Sequence, residues 1–186
     1  IHGNSIWTYK VFKSFTKKVF SKFDIIFVPS ERIKNNIISI INNSSKIIVS
    51  GDSRFDQIIE RKNNNKNNLL PPFYKQTNNI IFGSYDSFDQ ELILKSLKTI
   101  FPKGDEDLEK KNIGIILVPH EVNYDKIQLL IKKLKEMYLN PITYSQLSTG
   151  IEAHLLIVDK IGILADLYKY AKLAYVGSGF TSGVHS

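Results

Sequence analysis

The chain has 186 residues, 42% of them hydrophobic and 23% charged, which is enough apolar material for one medium domain or parts of two. The absence of cysteine excludes a disulfide framework and any thiolate metal site, and it fits a reducing compartment. No apolar run is long enough to span a bilayer and no signal peptide opens at Ile1, while a net charge of +7 favours anionic partners such as phosphates, nucleic acid or an acidic membrane surface.

The first residues, Trp7 to Phe23, read as an amphipathic helix. Trp7, Val11, Phe15 and Val19 recur every four residues as an inward stripe, with Lys10, Lys13 and Lys17 on the other side. Such a stripe suits an anionic membrane surface, and it equally suits a docked helix with a solvated lysine face. A buried strand follows at Ile25 to Val28, and Ser30 caps a helix from Glu31 to Ile41. Asn42 to Ser45 is a turn, and Lys46 to Ser50 a β-branched strand delivering Gly51-Asp52-Ser53-Arg54-Phe55-Asp56 at its carboxyl end. The polar run Arg61 to Asn68, followed by Pro71-Pro72, reads as a linker. The expected division is therefore 1–58, a linker over 59–78, and a second block over 79–186.

The second block opens on a strand at Asn79 to Phe82, then Gly83-Ser84 and a helix from Phe88 to Phe101, with Asp89 and Glu91 suiting the macrodipole of its first turn. Pro102 to Lys111 reads as an exposed charged loop. Ile113 to Val118 is a buried strand that delivers Pro119-His120-Glu121, and Asn123 to Met137 a helix. Asn140 to Tyr144 reads as a short strand and Ser145 to Ala153 as a loop. The closing stretch is a strand at Leu155 to Val158 ending on Asp159, a helix over Ile163 to Lys172, and a strand at Leu173 to Val176. It opens into Gly177-Ser178-Gly179-Phe180-Thr181-Ser182-Gly183. Alternating strands and helices in both blocks predict α/β architecture with parallel sheets, two Rossmann-like halves facing a cleft.

Parallel sheets bind ligands at the carboxyl ends of their strands. Ser84, His120, Asp159 and the terminal glycine loop all fall there, a rim of hydroxyls, a histidine and backbone N–H groups suited to a nucleotide or phosphosugar. Each piece alone is a weak signal. A strand-end histidine is commonly structural, and GSGxxxG is neither a Walker loop nor a dinucleotide fingerprint. A zinc site from His120, His154 and His185 lacks the short ligand spacing of a recognised motif.

Taken in order, Gly51-Asp52-Ser53-Arg54-Phe55-Asp56, Gly83-Ser84 before Asp89-Gln90-Glu91, Val118-Pro119-His120-Glu121, Asp159-Lys160-Ile161-Gly162 and Tyr175-Val176-Gly177-Ser178-Gly179 with Gly183-Val184-His185 form a pattern. It resembles the 3-deoxy-D-manno-octulosonic acid (Kdo) transferases of lipopolysaccharide synthesis, from about Phe23 to Ser186. The resemblance implies a GT-B glycosyltransferase, truncated at both ends. Such an enzyme moves Kdo from CMP-Kdo to a lipid A precursor at the cytoplasmic face of the inner membrane, with no metal, cofactor or nucleic acid. It would place Pro119, His120, Glu121, Ile161, Gly162, Ile163 and Ser186 on the donor, with Ser84, Gly177, Ser178, Gly179, Gly183 and His185 close by. Arg54 and Asp159 would be supporting residues.

The chain departs from the family in places. Pro119-His120-Glu121 stands where many members read Pro-Arg-His, Ile163 where Glu is common, and Ser186 where Asn is usual. The resemblance places the family's catalytic carboxylate ahead of Ile1, so none is expected within these residues and the fragment is expected to be inactive alone. Glu31 is the first turn of a capped helix. Two other readings stay open: a GT-B transferase of another nucleotide sugar, and a non-catalytic basic module for nucleic acid or anionic membrane.

Overall fold

The computed structural model describes residues 12–43, 46–64, 68–149 and 151–178. The chain divides into two compact units, Ile1–Asn65 and Lys66–Ser186.

The first unit runs α1 (Lys13–Phe20), β1 (Ile26–Val28), α2 (Glu31–Ile41), β2 (Ile47–Val49) and α3 (Ser53–Asn64). Ser30 starts α2 from an extended backbone, its hydroxyl accepting the Ile33 N–H at 3.4 Å, and Asn42 ends it in the left-handed region at φ 56°. Ile33, Ile37, Ile40 and Ile41 share one face of α2 and pack on Val28 and Ile47. Strands β1 and β2 pair in parallel, Phe27 opposite Ile48, so α2 is the crossover of a βαβ unit.

Helix α1 is phased differently from the expected stripe. Phe15 is 57% exposed, and fully buried Thr16 takes the inward position one turn before half-buried Phe20, which packs with the α2 isoleucines. Two lines four residues apart were available, Phe15–Val19 and Phe12–Thr16–Phe20, and docking of Phe20 selects the second. Trp7, Lys10 and Val11 lie outside the described residues.

The second unit contains α4 (Phe73–Gln76), β3 (Asn78–Tyr85), α5 (Ser87–Ile100), α6 (Asp105–Lys110), β4 (Ile113–Pro119), α7 (Tyr124–Lys135), β5 (Ile142–Thr143), β6 (Leu155–Ile157), α8 (Leu164–Leu167) and β7 (Ala171–Val176). Among the described residues its five strands lie in the order β5-β6-β4-β3-β7 with every pair parallel. This is Rossmann-like α/β architecture. Side chains alternate across the sheet. Ile115, Leu117, Leu155 and Ile157 meet α5, α6 and α7 on one face. Ile81, Ile116, Leu156 and Val158 meet Leu70, Tyr74, Ile163 and Leu167 on the other.

Four segments differ from the sequence expectation. Helix α3 continues to Asn64, and within the expected linker Leu70 and Tyr74 are core residues of the second unit, the Tyr74 hydroxyl donating to the Ala153 carbonyl at 2.9 Å. Polarity in the Asn-rich run hides these two apolar anchors four residues apart. The stretch Pro102 to Lys111 is not simply an exposed loop, because its acidic residues form α6 around fully buried Leu108. Residues Tyr144–Thr149 form a 3-10 turn rather than a plain loop. The helix expected over Ile163 to Lys172 is α8 plus a 3-10 turn, Tyr168–Tyr170, and β7 begins at Ala171.

Leu108 checks the α6 assignment. Leu108→Ala is expected to lower stability in urea denaturation by about 2–5 kcal/mol, the range for a fully buried leucine. A residue on an exposed loop would change stability by no more than about 0.5 kcal/mol.

Candidate functional site

A parallel sheet sends all its carboxyl ends to one side, so β6, β4, β3 and β7 deliver Asp159, His120, Ser84 and Gly177 to a common rim in that order. The chain leaves β3 for β4 on one flank and finally returns to β7 on the other. This makes β3 the switch point of the sheet. Ser84 sits on it as a bulge: Gly83 pairs with Val118 and Tyr85 with Pro119, leaving Ser84 unmatched at φ 53°. The displaced side chain places Oγ 2.9 Å from His120 Nδ1, and the His120 N–H donates to the Tyr85 carbonyl at 2.9 Å.

On the other flank the Gly177 N–H donates to the Gly83 carbonyl at 2.8 Å. A Cβ at Gly177 would run into Tyr85 Cα and sit 2.8 Å from both the Ser84 carbonyl and Asp89 Oδ2. Glycine is required there for passage over the chain's own backbone. Ser178 is left-handed at φ 61°, and its hydroxyl donates to the Ser84 carbonyl at 2.8 Å.

Beneath these contacts lies Asp89, 1% exposed, whose burial a first-turn charge in the sequence does not show. Asp86 caps α5 by accepting the Phe88 and Asp89 N–H groups at 2.9 and 3.0 Å. Asp89 Oδ2 accepts from Asp86 N–H at 3.1 Å and Ser178 N–H at 2.7 Å, and Oδ1 accepts from Tyr175 OH at 2.6 Å. Burial alone would push the Asp89 carboxyl up; the bonds from Tyr175, Ser178 and Asp86 outweigh it and hold the group below its ordinary value. The same bond, assisted by burial, pushes the Tyr175 hydroxyl up to about 12. Asp86 and Asp89 make a capping box three residues apart. The contact from Tyr175 required the fold.

The Phe88 and Asp89 N–H groups of α5 are taken up by Asp86 and that of Ser178 by Asp89, while the Ser84 and His120 side chains meet each other at the rim.

The remaining candidates lie as follows. Pro119 ends β4, and exposed Glu121 pairs with Lys126 at 2.7 Å, which lowers its carboxyl below the usual range. Asp159 accepts the Ser145 N–H at 3.0 Å and hydroxyl at 2.6 Å, bracing the turn after β5. In the turn before α8, Ile161 is exposed, Gly162 has φ 87° and Ile163 is buried in the core. Arg54 belongs to the first unit, where its guanidinium grips Asp52 with a shortest contact of 2.7 Å. Gly179, Gly183, His185 and Ser186 lie outside the described residues. His154 Nδ1 lies 2.8 Å from the Ile113 carbonyl and the ring packs edge-on against Phe73, a structural placement away from His120 on the opposite end of β6. Beside the rim a cleft of about 400 Å³ is lined by Tyr85, Asp86, Gln90, His120 and Leu130 among others.

No family model matches the chain, and no solved structure does. Over 183 residues it is 27% identical to a bifunctional glycosyltransferase/methyltransferase of Fusobacterium nucleatum subsp. nucleatum, covering 95% of this chain and 27% of that protein. It is 24% identical over 183 residues to a 3-deoxy-D-manno-octulosonic acid transferase of Chlamydophila psittaci, covering 97% of this chain and 40% of that protein. Both relatives are glycosyltransferases. The chain spans well under half the length of each, and the similarity runs through both of its units.

The Asp89 bonds set a pH dependence. A depressed carboxyl contributes stability above its ordinary value of 3.8 and loses it as the pH falls through the lower folded value. Asp89→Asn is therefore expected to be less stable than wild type at neutral pH by about 1–3 kcal/mol. The gap should narrow below pH 3.8 in denaturant titrations across the acid range. A gap constant over that range would mean that the carboxylate charge is not what the bonds hold.

Proposed function

We propose that the chain is part of a glycosyltransferase that takes Kdo from CMP-Kdo to a lipid A precursor at the cytoplasmic face of the inner membrane. The observation that carries this reading is the similarity to the Chlamydophila psittaci transferase over 97% of the chain. The ordered motifs and the parallel rim support it. In this reading the second unit binds the donor. Ser84 and His120 hold the CMP phosphate by hydrogen bonds, and the Ile161-Gly162-Ile163 turn and the residues from Gly177 onward close around the nucleotide.

The transfer balances simply. The acceptor hydroxyl oxygen bonds to the Kdo anomeric carbon as the bond from that carbon to the CMP phosphate oxygen breaks. The hydroxyl proton passes to an acidic general base, a part assigned to none of the rim residues. The electron pair leaves with CMP, whose phosphate is stabilised by donors on the rim.

Reaching a lipid acceptor fits the surface of α1, where Phe12 and Phe15 are exposed beside exposed Lys13, Lys17 and Lys18. Aromatic and lysine side chains together suit an anionic interface, with roughly 1 kcal/mol per lysine. Among the described residues no helix is long and apolar enough to cross a membrane. Vesicles containing anionic lipid should sediment the wild-type chain at low salt more efficiently than a Lys13, Lys17 and Lys18→Ala variant. Equal sedimentation would leave α1 as a docked helix only.

A transferase of another nucleotide sugar is the second reading. It is favoured by the Fusobacterium nucleatum relative, whose name specifies no sugar. Amide shift mapping with CMP, UMP and AMP separates the two. CMP is expected to shift Ser84, His120, Gly177 and Ser178 with a millimolar dissociation constant, about 4 kcal/mol. A uridine preference supports the second reading, and no response to any nucleotide overturns the donor-site assignment.

A further inference from the structure

A helix cap asks little of Asp89. Accepting the Asp86 N–H closes the capping box, and a neutral Gln or an exposed carboxylate does that without burying a charge. Asp89 is nonetheless almost fully buried, and both its oxygens are engaged with β7 and the residues after it: Oδ1 with Tyr175 OH and Oδ2 with Ser178 N–H. These bonds join the β3–α5 turn to the end of β7 across the switch point.

The consequences run along the rim. With its N–H held by Asp89, Ser178 adopts the left-handed conformation that non-glycine residues avoid, and its hydroxyl falls on the Ser84 carbonyl. Ser84 is itself left-handed, and that conformation turns Oγ toward His120 Nδ1. Two strained residues far apart in sequence, one a bulge in β3 and one just after β7, are thus tied together above one buried carboxylate. Gly177 completes the arrangement, since any side chain there would displace Asp89 Oδ2 and the Ser84 carbonyl together.

We propose that Asp89 is a positioning residue for the rim: its carboxylate clasps Tyr175 and Ser178, and through Ser178 sets the Ser84–His120 pair. The inference deepens the donor-site reading above, because Ser84 and His120 are the side chains given to the donor phosphate. The geometric part stands without a ligand.

The test compares Asp89→Asn, Tyr175→Phe and Asp86→Ala with wild type in the full chain. In ligand-free protein, Asp89→Asn should move the amide of Ser178 and the imidazole signals of His120, although His120 does not touch Asp89. Tyr175→Phe, which keeps the cap and the Ser178 bond, should move them less. Asp86→Ala removes the main N-cap acceptor of α5 and lowers the unfolding midpoint, but should leave the His120 signals near their wild-type positions. With CMP as the probe, Asp89→Asn should weaken binding about tenfold and Asp86→Ala much less. Unchanged His120 signals in folded Asp89→Asn overturn the proposal, as does an Asp86→Ala variant that moves them equally, since Asp89 would then only cap its helix. If Asp89→Asn does not fold, Tyr175→Phe decides: unmoved Ser178 and His120 signals overturn the clasp. If wild type ignores CMP while the ligand-free shifts appear, the clasp stands and the donor reading falls.

Discussion

Strand β3 is hydrogen-bonded on both sides, to a strand that follows it directly and to one that returns only after the rest of the unit is built. That double pairing is the constraint on which the second unit depends. A parallel neighbour cannot be reached by a hairpin, so each step needs a crossover, and the helices of those crossovers cover both faces of the sheet. The two cores are the result: Ile80 and Phe82 of β3 pack on one side and Ile81 on the other. Because every pair is parallel, the same constraint gathers the polar strand ends on one rim.

The electrostatics of that rim are less simple than the chain's positive charge suggests. Asp86 caps α5 and Asp89 lies in its first turn, and their carboxylates take up the N–H groups of Phe88, Asp89 and Ser178. An acid buried with enough donors is stabilised in its charged form even though burial opposes it. The cost of dehydrating Asp89 is offset by three bonds, two of them short, and those bonds tie α5 to Tyr175 and Ser178.

The first unit follows the same rules on a smaller scale. Among the described residues, a three-residue parallel pair with one crossover helix is held by six buried aliphatic side chains, five of them isoleucine. Thr16 shows how packing overrides hydrophobicity at a single position. Once Phe20 seats against α2, helical geometry brings residue 16 inward and leaves Phe15 outside, whatever their individual preferences. That outward aromatic beside lysines then becomes a surface property of the fold.

By itself the sequence determined the α/β class and most strand positions, because buried parallel strands are continuous β-branched runs closed by turn residues, whereas helices α3, α4 and α6 were hidden in polar and charged stretches. It also determined that Ser84, His120 and Asp159 lie at carboxyl ends, since that depends only on chain direction. What only the tertiary structure decided were contacts between residues far apart in the chain. These include burial of Leu70 and Tyr74 beyond the polar run, seating of Leu108 inside an acidic segment, and the bonds from Tyr175 and Ser178 to Asp89, 86 and 89 residues away. Periodicity and composition describe neighbours along the chain; which side of β3 receives the returning strand is settled by packing, and that choice converts a helix cap into the hub of the rim.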